Sequence, residues 1–329
     1  MDFRYTPDQV EVIRYARESL RAHLPLARLS AGDAAVGPWA AIGHDGWLHV
    51  CLADDEAQPD LALVAGIARE AGAVAAGEEF VQNGWLIPRL CAAIDPADRS
   101  AEWLAAQQET PGYLPDSDAE LTFGAHPGFD RYELEQSAGE WQRLHRSRNG
   151  DTSVAALAGL SVSIAGVISS GGELADATLH ATPDYVQLTL VGTRILRAAA
   201  AVGLAVEILD RTVTYVGERH QFGRPIGQFQ AVKHLCADLL AELEVAWLAV
   251  QYATVSWQSD ALAVEQAANQ AAQVALSAAR TGAQLHGGMG FTWECELHWL
   301  LKAALDTQLI LGPPATSAST IGAALLETA

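Results

Sequence analysis

The chain has 329 residues, half of them hydrophobic, enough to bury a sizeable core between two or three packed layers. Its 40 acidic residues against 20 basic ones give a formal charge of −20, which repels a phosphate backbone and an anionic membrane surface alike, so neither nucleic acid nor membrane is an expected partner. Lysine occurs only at Lys233 and Lys302, so any polyanionic ligand must be met by arginines.

The first residues carry charges throughout and lack the apolar stretch of a signal peptide, while the apolar runs at 154–168 and 195–206 are interrupted by Gly, Ser or Arg and fall short of a bilayer span. A cytoplasmic location is therefore expected. Thr6-Pro7-Asp8-Gln9 combines an N-cap, a proline for the first helical position, an early acid and a capping-box glutamine, which predicts a helix running to about Leu24. Val10, Ile13, Ala16 and Leu20 give it an apolar stripe, and Arg17 interrupts the stripe with a head that can reach solvent. A second helix is predicted over 60–80, Gly84 and Pro88 punctuate the chain beyond it, and a third helix is predicted over 89–107. Together these make an N-terminal helical domain, residues 1–107.

After Gln108 the chain becomes turn-rich, and short alternating runs predict strands at 120–123, 131–136, 178–181 and 185–190. The stretch 153–169 reads equally as strand or buried helix. This is a reduced β-containing middle domain, 108–190. From Gly192 the pattern is helical, over 198–215, 231–257 and 261–285, with breaks at Pro225 and at Gly287-Gly288. Long Ala-rich helices joined by short turns predict an antiparallel bundle over 191–329. The expected fold class is mainly α with a small β middle domain.

Cys51, Cys91, Cys236 and Cys295 lie far apart without a C-x-x-C pair, and His145, His220, His234 and His286 form no H-x-x-x-H, so free buried thiols and no metal are expected. Two stretches are more specific. One is Glu218-Arg219-His220-Gln221-Phe222-Gly223-Arg224-Pro225-Ile226-Gly227-Gln228-Phe229-Gln230, where Arg219 offers a planar cationic fork suited to a pyrophosphate and Phe222 a flat apolar face beside it. The other is Gln284-Leu285-His286-Gly287-Gly288-Met289-Gly290-Phe291-Thr292, whose adjacent glycines expose backbone N–H groups to a ligand. Taken singly, each reads equally well as a surface arginine or a glycine helix stop.

In this order, separated by two long helices, the stretches resemble the C-terminal bundle of the acyl-CoA dehydrogenase family, matching its patterns R-x-x-F-G-x-x-[apolar]-x-x-x-Q and Q-x-x-G-G-x-G. The resemblance is firm over 192–311 and weak in the middle domain. It implies an N-terminal helical domain, a middle β-domain and a C-terminal four-helix bundle holding FAD between them. It further implies that Arg219, Gln221, Phe222, Gln230, Gln284, Gly287 and Gly288 contact a flavin held mainly by a neighbouring subunit.

The family reaction needs a carboxylate to take the α-proton of an acyl-CoA thioester. Counting on from Gly287-Gly288, the family's Tyr-Glu-Gly-Thr turn falls on Ile310-Leu311-Gly312-Pro313, which puts Leu311 at the base position. The base position used by other relatives falls on Thr193, before Arg194. Neither residue can accept the proton, so no catalytic residue is expected in this chain, and Glu173, Asp176, Asp184 and Glu207 read as ordinary solvated acids. The middle-domain segments that hold the isoalloxazine are also missing, with Glu109-Thr110-Pro111-Gly112 a faint echo.

This combination resembles the smaller subunits of actinobacterial α2β2 acyl-CoA dehydrogenases acting on CoA thioesters of steroid side chains. It implies a longer partner subunit that supplies the base and holds the acyl-CoA, with FAD shared between the two. The alternatives are a stand-alone homomeric dehydrogenase with an unrecognised base and a non-catalytic scaffold. Retention of Arg219 beside Phe222 speaks against the scaffold. Trp247, Trp257, Trp293 and Trp299 fit either a wide pocket or interface packing.

Overall fold

A computed structural model of the chain describes residues 3–31, 36–51, 59–94, 112–113, 122–123, 130–137, 140–148, 164–165, 173–179, 183–312 and 314–327. Helix α1 (Pro7–His23) opens on the expected capping box: the Thr6 hydroxyl accepts the Gln9 N–H at 3.3 Å and the Gln9 side chain accepts the Thr6 N–H at 2.7 Å. Ile13, Ala16 and Leu20 are buried as expected, joined by Ser19, whereas Val10 stays half-exposed. Arg17 grips Glu70 through two 2.7 Å hydrogen bonds.

Short helices α2 (Ala27–Ala31) and α3 (Val36–His44) and a 3-10 turn (Trp47–Cys51) lead to α4 (Leu61–Ala73), which Asp60 caps. The single helix expected over 60–80 is interrupted. Ala75 takes φ 54°, its N–H donates to Gly72 O and the Ala76 N–H to Ala71 O, a Schellman ending with alanine where glycine usually stands. The chain then runs helically through α5 (Gly77–Phe80), a π-helix (Val81–Leu86) and α6 (Ile87–Ala92). The expected breaks at Gly84 and Pro88 do not occur. Pro88 lies in the first turn of α6, where its missing N–H costs little, and the Ile87 N–H reaches back five residues to Gln82 O in the widened turn. The helix expected over 89–107 overlaps α6, and its part from residue 95 onward lies outside the described residues.

The middle region contains β1 (Gly112–Tyr113), β2 (Thr122–Phe123), β3 (Asp130–Ser137), β4 (Glu140–Arg148), β5 (Ile164–Ala165) and β6 (Glu173–Thr178). One sheet has the order β1-β3-β4-β6, antiparallel except for the β1–β3 pair, and β2 pairs with β5. Strand β4 was not expected, because three arginines in nine residues weaken its alternation. Residues 185–190 alternate like a strand but form the first turns of α7 (Pro183–Glu218), 36 residues long. A helix whose successive faces all meet protein loses a clean 3.6-residue signal.

Helix α7 is the centre of the molecule, packed between α4 and α9 (Ala261–His286). At the α4–α7 crossing the backbones touch: a Cβ on Gly72 would collide with Ala200 O and one on Gly203 with Arg69 O. With α8 (Gln230–Ser256) and α10 (Leu297–Leu311), α7 and α9 form the bundle, and α11 (Pro314–Glu327) packs on α9. The architecture is mainly α with a small β region, as expected. The stretch Tyr185–Glu218 is long and apolar enough to cross a membrane, contrary to the reading of shorter interrupted runs, but 72% of its most apolar window is buried inside the protein. Its apolarity is used in helix packing.

Candidate functional site

Helix α7 ends at Glu218, and the Arg219 N–H still donates to Tyr215 O at 2.8 Å. The chain reverses in a two-residue hairpin, β7 (His220–Gln221) against β8 (Arg224–Pro225), with Phe222 at φ 54° and Gly223 at φ 79° as its central pair. Both central residues at positive φ make the primed turn that fits a hairpin's twist. Gly223 suits it. Phe222 does not, since a bulky side chain at positive φ is strained by about 1–3 kcal/mol, yet its ring stands 92% exposed. The ring meets Phe229 edge-on at 6.1 Å, and Arg224 lies over Phe229 at 4.1 Å. Arg224 and Phe229 thus complete an aromatic–cation group that motif reading left unassigned.

The second motif closes α9. The backbone turns at Gly287 (φ 59°) into a 3-10 segment, Gly287–Phe291, and a Cβ on either Gly287 or Gly288 would meet nothing within 4 Å, so their backbone is open to a ligand. What ties this loop to the hairpin is His286, absent from the expected site. Its buried imidazole stacks on Tyr215 at 4.2 Å and 18°, bonds Gly282 O through Nδ1 at 2.9 Å, and has its pKa lowered by burial. The stack holds the ends of α7 and α9 side by side. Arg219, Gln221, Phe222, Gln230, Gln284, Gly287 and Gly288 are all solvent-exposed.

The two positions at which the family base was expected are linked through Arg194. Leu311 is buried at the end of α10, and Thr193 is buried in α7 with its hydroxyl donating to Thr189 O at 2.8 Å. Between them Arg194 donates to Leu311 O at 3.3 Å and to Glu265 at 2.7 Å. The cleft beside Leu311 leaves about 40 Å³ for the centres of water-sized molecules, room for a few waters and not for an acyl chain. Two buried acids line it. Glu78 has both oxygens engaged, by Arg197 at 2.6 and 2.9 Å and by Gln82 at 2.9 Å, and Glu79 faces Arg28 at 3.4 Å. Glu207, expected as a solvated acid, is buried between Arg21 of α1 at 3.2 Å and Arg211 of its own helix at 2.8 Å. The side chains of Glu173, Asp176 and Asp184, and residues 109–111, lie outside the described parts.

The four tryptophans do not line one pocket. Trp247 lies beneath Arg69, whereas Trp293 and Trp299 flank Lys302 at 4.9 and 4.4 Å. None of the four cysteines forms a disulfide: Cys51 and Cys91 are buried, with the Cys51 thiol pushed up to about 12 by burial, while Cys236 and Cys295 are only partly buried.

Residues 184–326 match the family model described as acyl-CoA dehydrogenase, C-terminal domain. The acyl-CoA dehydrogenase IpdE2 of Mycolicibacterium smegmatis is 44% identical over 123 residues, which is 36% of this chain and 38% of that protein. The matching stretch therefore spans little more than a third of that relative. Among solved structures, the ChsE4-ChsE5 complex from Mycobacterium tuberculosis aligns over 100% of both chains with a TM-score of 0.79 at 19% identity. The Tcur3481-Tcur3483 steroid ACAD aligns over 98% of both with 0.75 at 20%. These are likenesses of fold. The family match thus covers residues 184–326, the part that carries the hairpin and the glycine turn, and the structural likeness gives the chain as a whole the acyl-CoA dehydrogenase fold.

Proposed function

We propose that this chain is a subunit of an FAD-dependent acyl-CoA dehydrogenase that desaturates an acyl-CoA thioester, with a longer partner subunit supplying the catalytic base in an α2β2 assembly. The observation that carries the proposal is a division within the chain. The residues suited to a dinucleotide project outward from one end of the bundle, while the position of the proton acceptor is a leucine in a cleft too small for substrate. A strained, exposed Phe222, an exposed Arg219 and an open glycine turn fit a cofactor lying outside this chain.

In this reading Arg219 would hold the diphosphate together with the Gly287 and Gly288 N–H groups, Phe222 would offer an apolar face to the cofactor, and the amides of Gln221, Gln230 and Gln284 would orient it. When bound, FAD supplies the acceptor for the β-hydride. The α-proton goes to a carboxylate of the partner, because Leu311 and Thr193 cannot take it. An exposed apolar row on α8, Val245, Leu248, Tyr252 and Val255 at alternating steps of three and four, supports docking of another helical chain. The names of the relatives, a two-component complex and a steroid ACAD, favour a steroid side-chain thioester as substrate.

Co-expression with a longer dehydrogenase subunit and a count of flavin per heterodimer tests the proposal. One flavin is expected, and two would overturn the shared site. The stand-alone reading predicts flavin and turnover from this chain by itself. Leu311→Glu in the isolated chain is expected to remain inactive, and turnover there would revive that reading.

A further inference from the structure

A second cleft lies where α1, α4 and α8 meet, far along α8 from the hairpin that precedes it. It encloses about 280 Å³, sevenfold the space beside Leu311 and close to the lower end of ligand-pocket volumes, about 300–1,000 Å³. Its apolar wall is Tyr5, Val10 and Ile13, and Gly66 belongs to its lining. Arginines 14, 17 and 69 face it against one acid, Glu70, an inversion of charge in a chain of net −20.

The three arginines are not equivalent. Arg14 is neutralised by Glu11 at 2.6 Å and Glu18 at 2.7 Å, and Arg17 by Glu70 at 2.7 Å. Arg69 lies over the indole of Trp247 at 4.6 Å, and among the described residues no carboxylate stands within ion-pair distance of it. Asp210 senses its charge only at longer range. Stacking fixes a guanidinium flat and leaves its N–H edge free to donate two parallel hydrogen bonds to one carboxylate. The hairpin of the cofactor loop is built the same way, with Arg224 over Phe229. In a chain with 40 acidic residues, an arginine facing a cleft whose one acid is already paired with Arg17 is poised for an anion from outside.

We propose that this cleft binds a small organic carboxylate, its charge taken by Arg69 and its apolar body by Val10, Ile13 and Tyr5. The site is separate from the cofactor loops and does not depend on the dehydrogenase reading. Benzoate is a suitable probe, titrated calorimetrically into the full chain and into the complex with any partner that co-purifies. Benzoate is expected to bind saturably in both, with acetate, which lacks the body, and benzyl alcohol, which lacks the charge, each at least about tenfold weaker. Arg69→Gln should weaken benzoate by at least about tenfold while leaving acetate as weak as before. Should Arg69→Gln fail to fold, Val10→Trp fills the mouth from an exposed position and should abolish binding with Arg69 intact. Equal binding of benzoate and acetate, unchanged affinity in either folded variant, or binding lost when the partner is present would each overturn the site. The last result would make the cleft part of a protein interface.

Discussion

Two non-glycine residues among those described hold a positive φ, Ala75 and Phe222, both at 54°, and their settings are opposite. Ala75 is buried at the end of α4, lining the small cleft beside Leu311, and Arg28 donates to the carbonyls of Val74 at 3.1 Å and Ala75 at 3.4 Å. Its backbone strain is offset by hydrogen bonds and packing inside the chain. Phe222 has an edge contact with Phe229 and is otherwise in solvent, so the strain there is compensated by little within the chain. The same conformation serves packing in one place and presents a side chain outward in the other. One end of α7 is sealed as structure, and the other is left open for contact.

Breaking the sealed region should give the largest effect. Glu78→Ala removes the buried carboxylate that Arg197 holds at 2.6 Å, and losing one member of such a pair costs about 3–5 kcal/mol, measurable as a fall in the denaturation midpoint. The same change should leave the flavin count of a folded complex unaltered, since Glu78 does not face the hairpin or the glycine turn. At the open end the order reverses. Arg219→Ala should leave the stability of the isolated chain within about 0.5 kcal/mol, as for most exposed substitutions, but lower flavin occupancy of the complex at least about tenfold. Unchanged occupancy would show that Arg219 is not a cofactor contact.

The two positive-φ residues sharpen the contrast at smaller magnitude. Ala75→Gly and Phe222→Gly should each stabilise the isolated chain by about 1 kcal/mol, because glycine adopts this backbone without strain. Only Phe222→Gly should also weaken flavin retention in the complex. Equal retention in both variants would mean that the exposed ring has no ligand to meet.

Much of this layout was legible in the sequence where the signal is local. The capping box at Thr6 and the stop at Gly287 each need particular residue types at fixed offsets, and each fell where the residues placed it; the chain also breaks around Pro225 as expected, but the hairpin that makes the break, with Phe222 at positive φ, was not foreseen. The end of α4 was hidden because alanine occupies the position where glycine would announce a Schellman stop. The helix through Gly84 and Pro88 was hidden for the converse reason: two apparent breakers are absorbed by a widened turn. Counting along the motif put Leu311 and Thr193 at the base positions, but the Arg194 bridge between their helices is a tertiary fact. So are the burial of Glu207 between two arginines and the stacking of His286 on Tyr215.

That stack supplies the smallest predicted effect and the most direct probe of how the open end is held. Burial lowers the His286 pKa below its unfolded value of about 6.5, so the unfolded chain binds the proton more readily. Stability contributed by neutral His286 is therefore fully present above pH 6.5 and is lost as pH falls through that value towards the lowered folded-state pKa. The informative quantity is a difference between two chains. His286→Phe keeps an aromatic ring against Tyr215 and removes the titration, and its melting temperature should fall less than that of the unaltered chain between pH 7.5 and 5.5. An identical fall in both would mean that protonation of His286 does not loosen the junction of α7 and α9, and that the hairpin and the glycine turn are held together by packing alone.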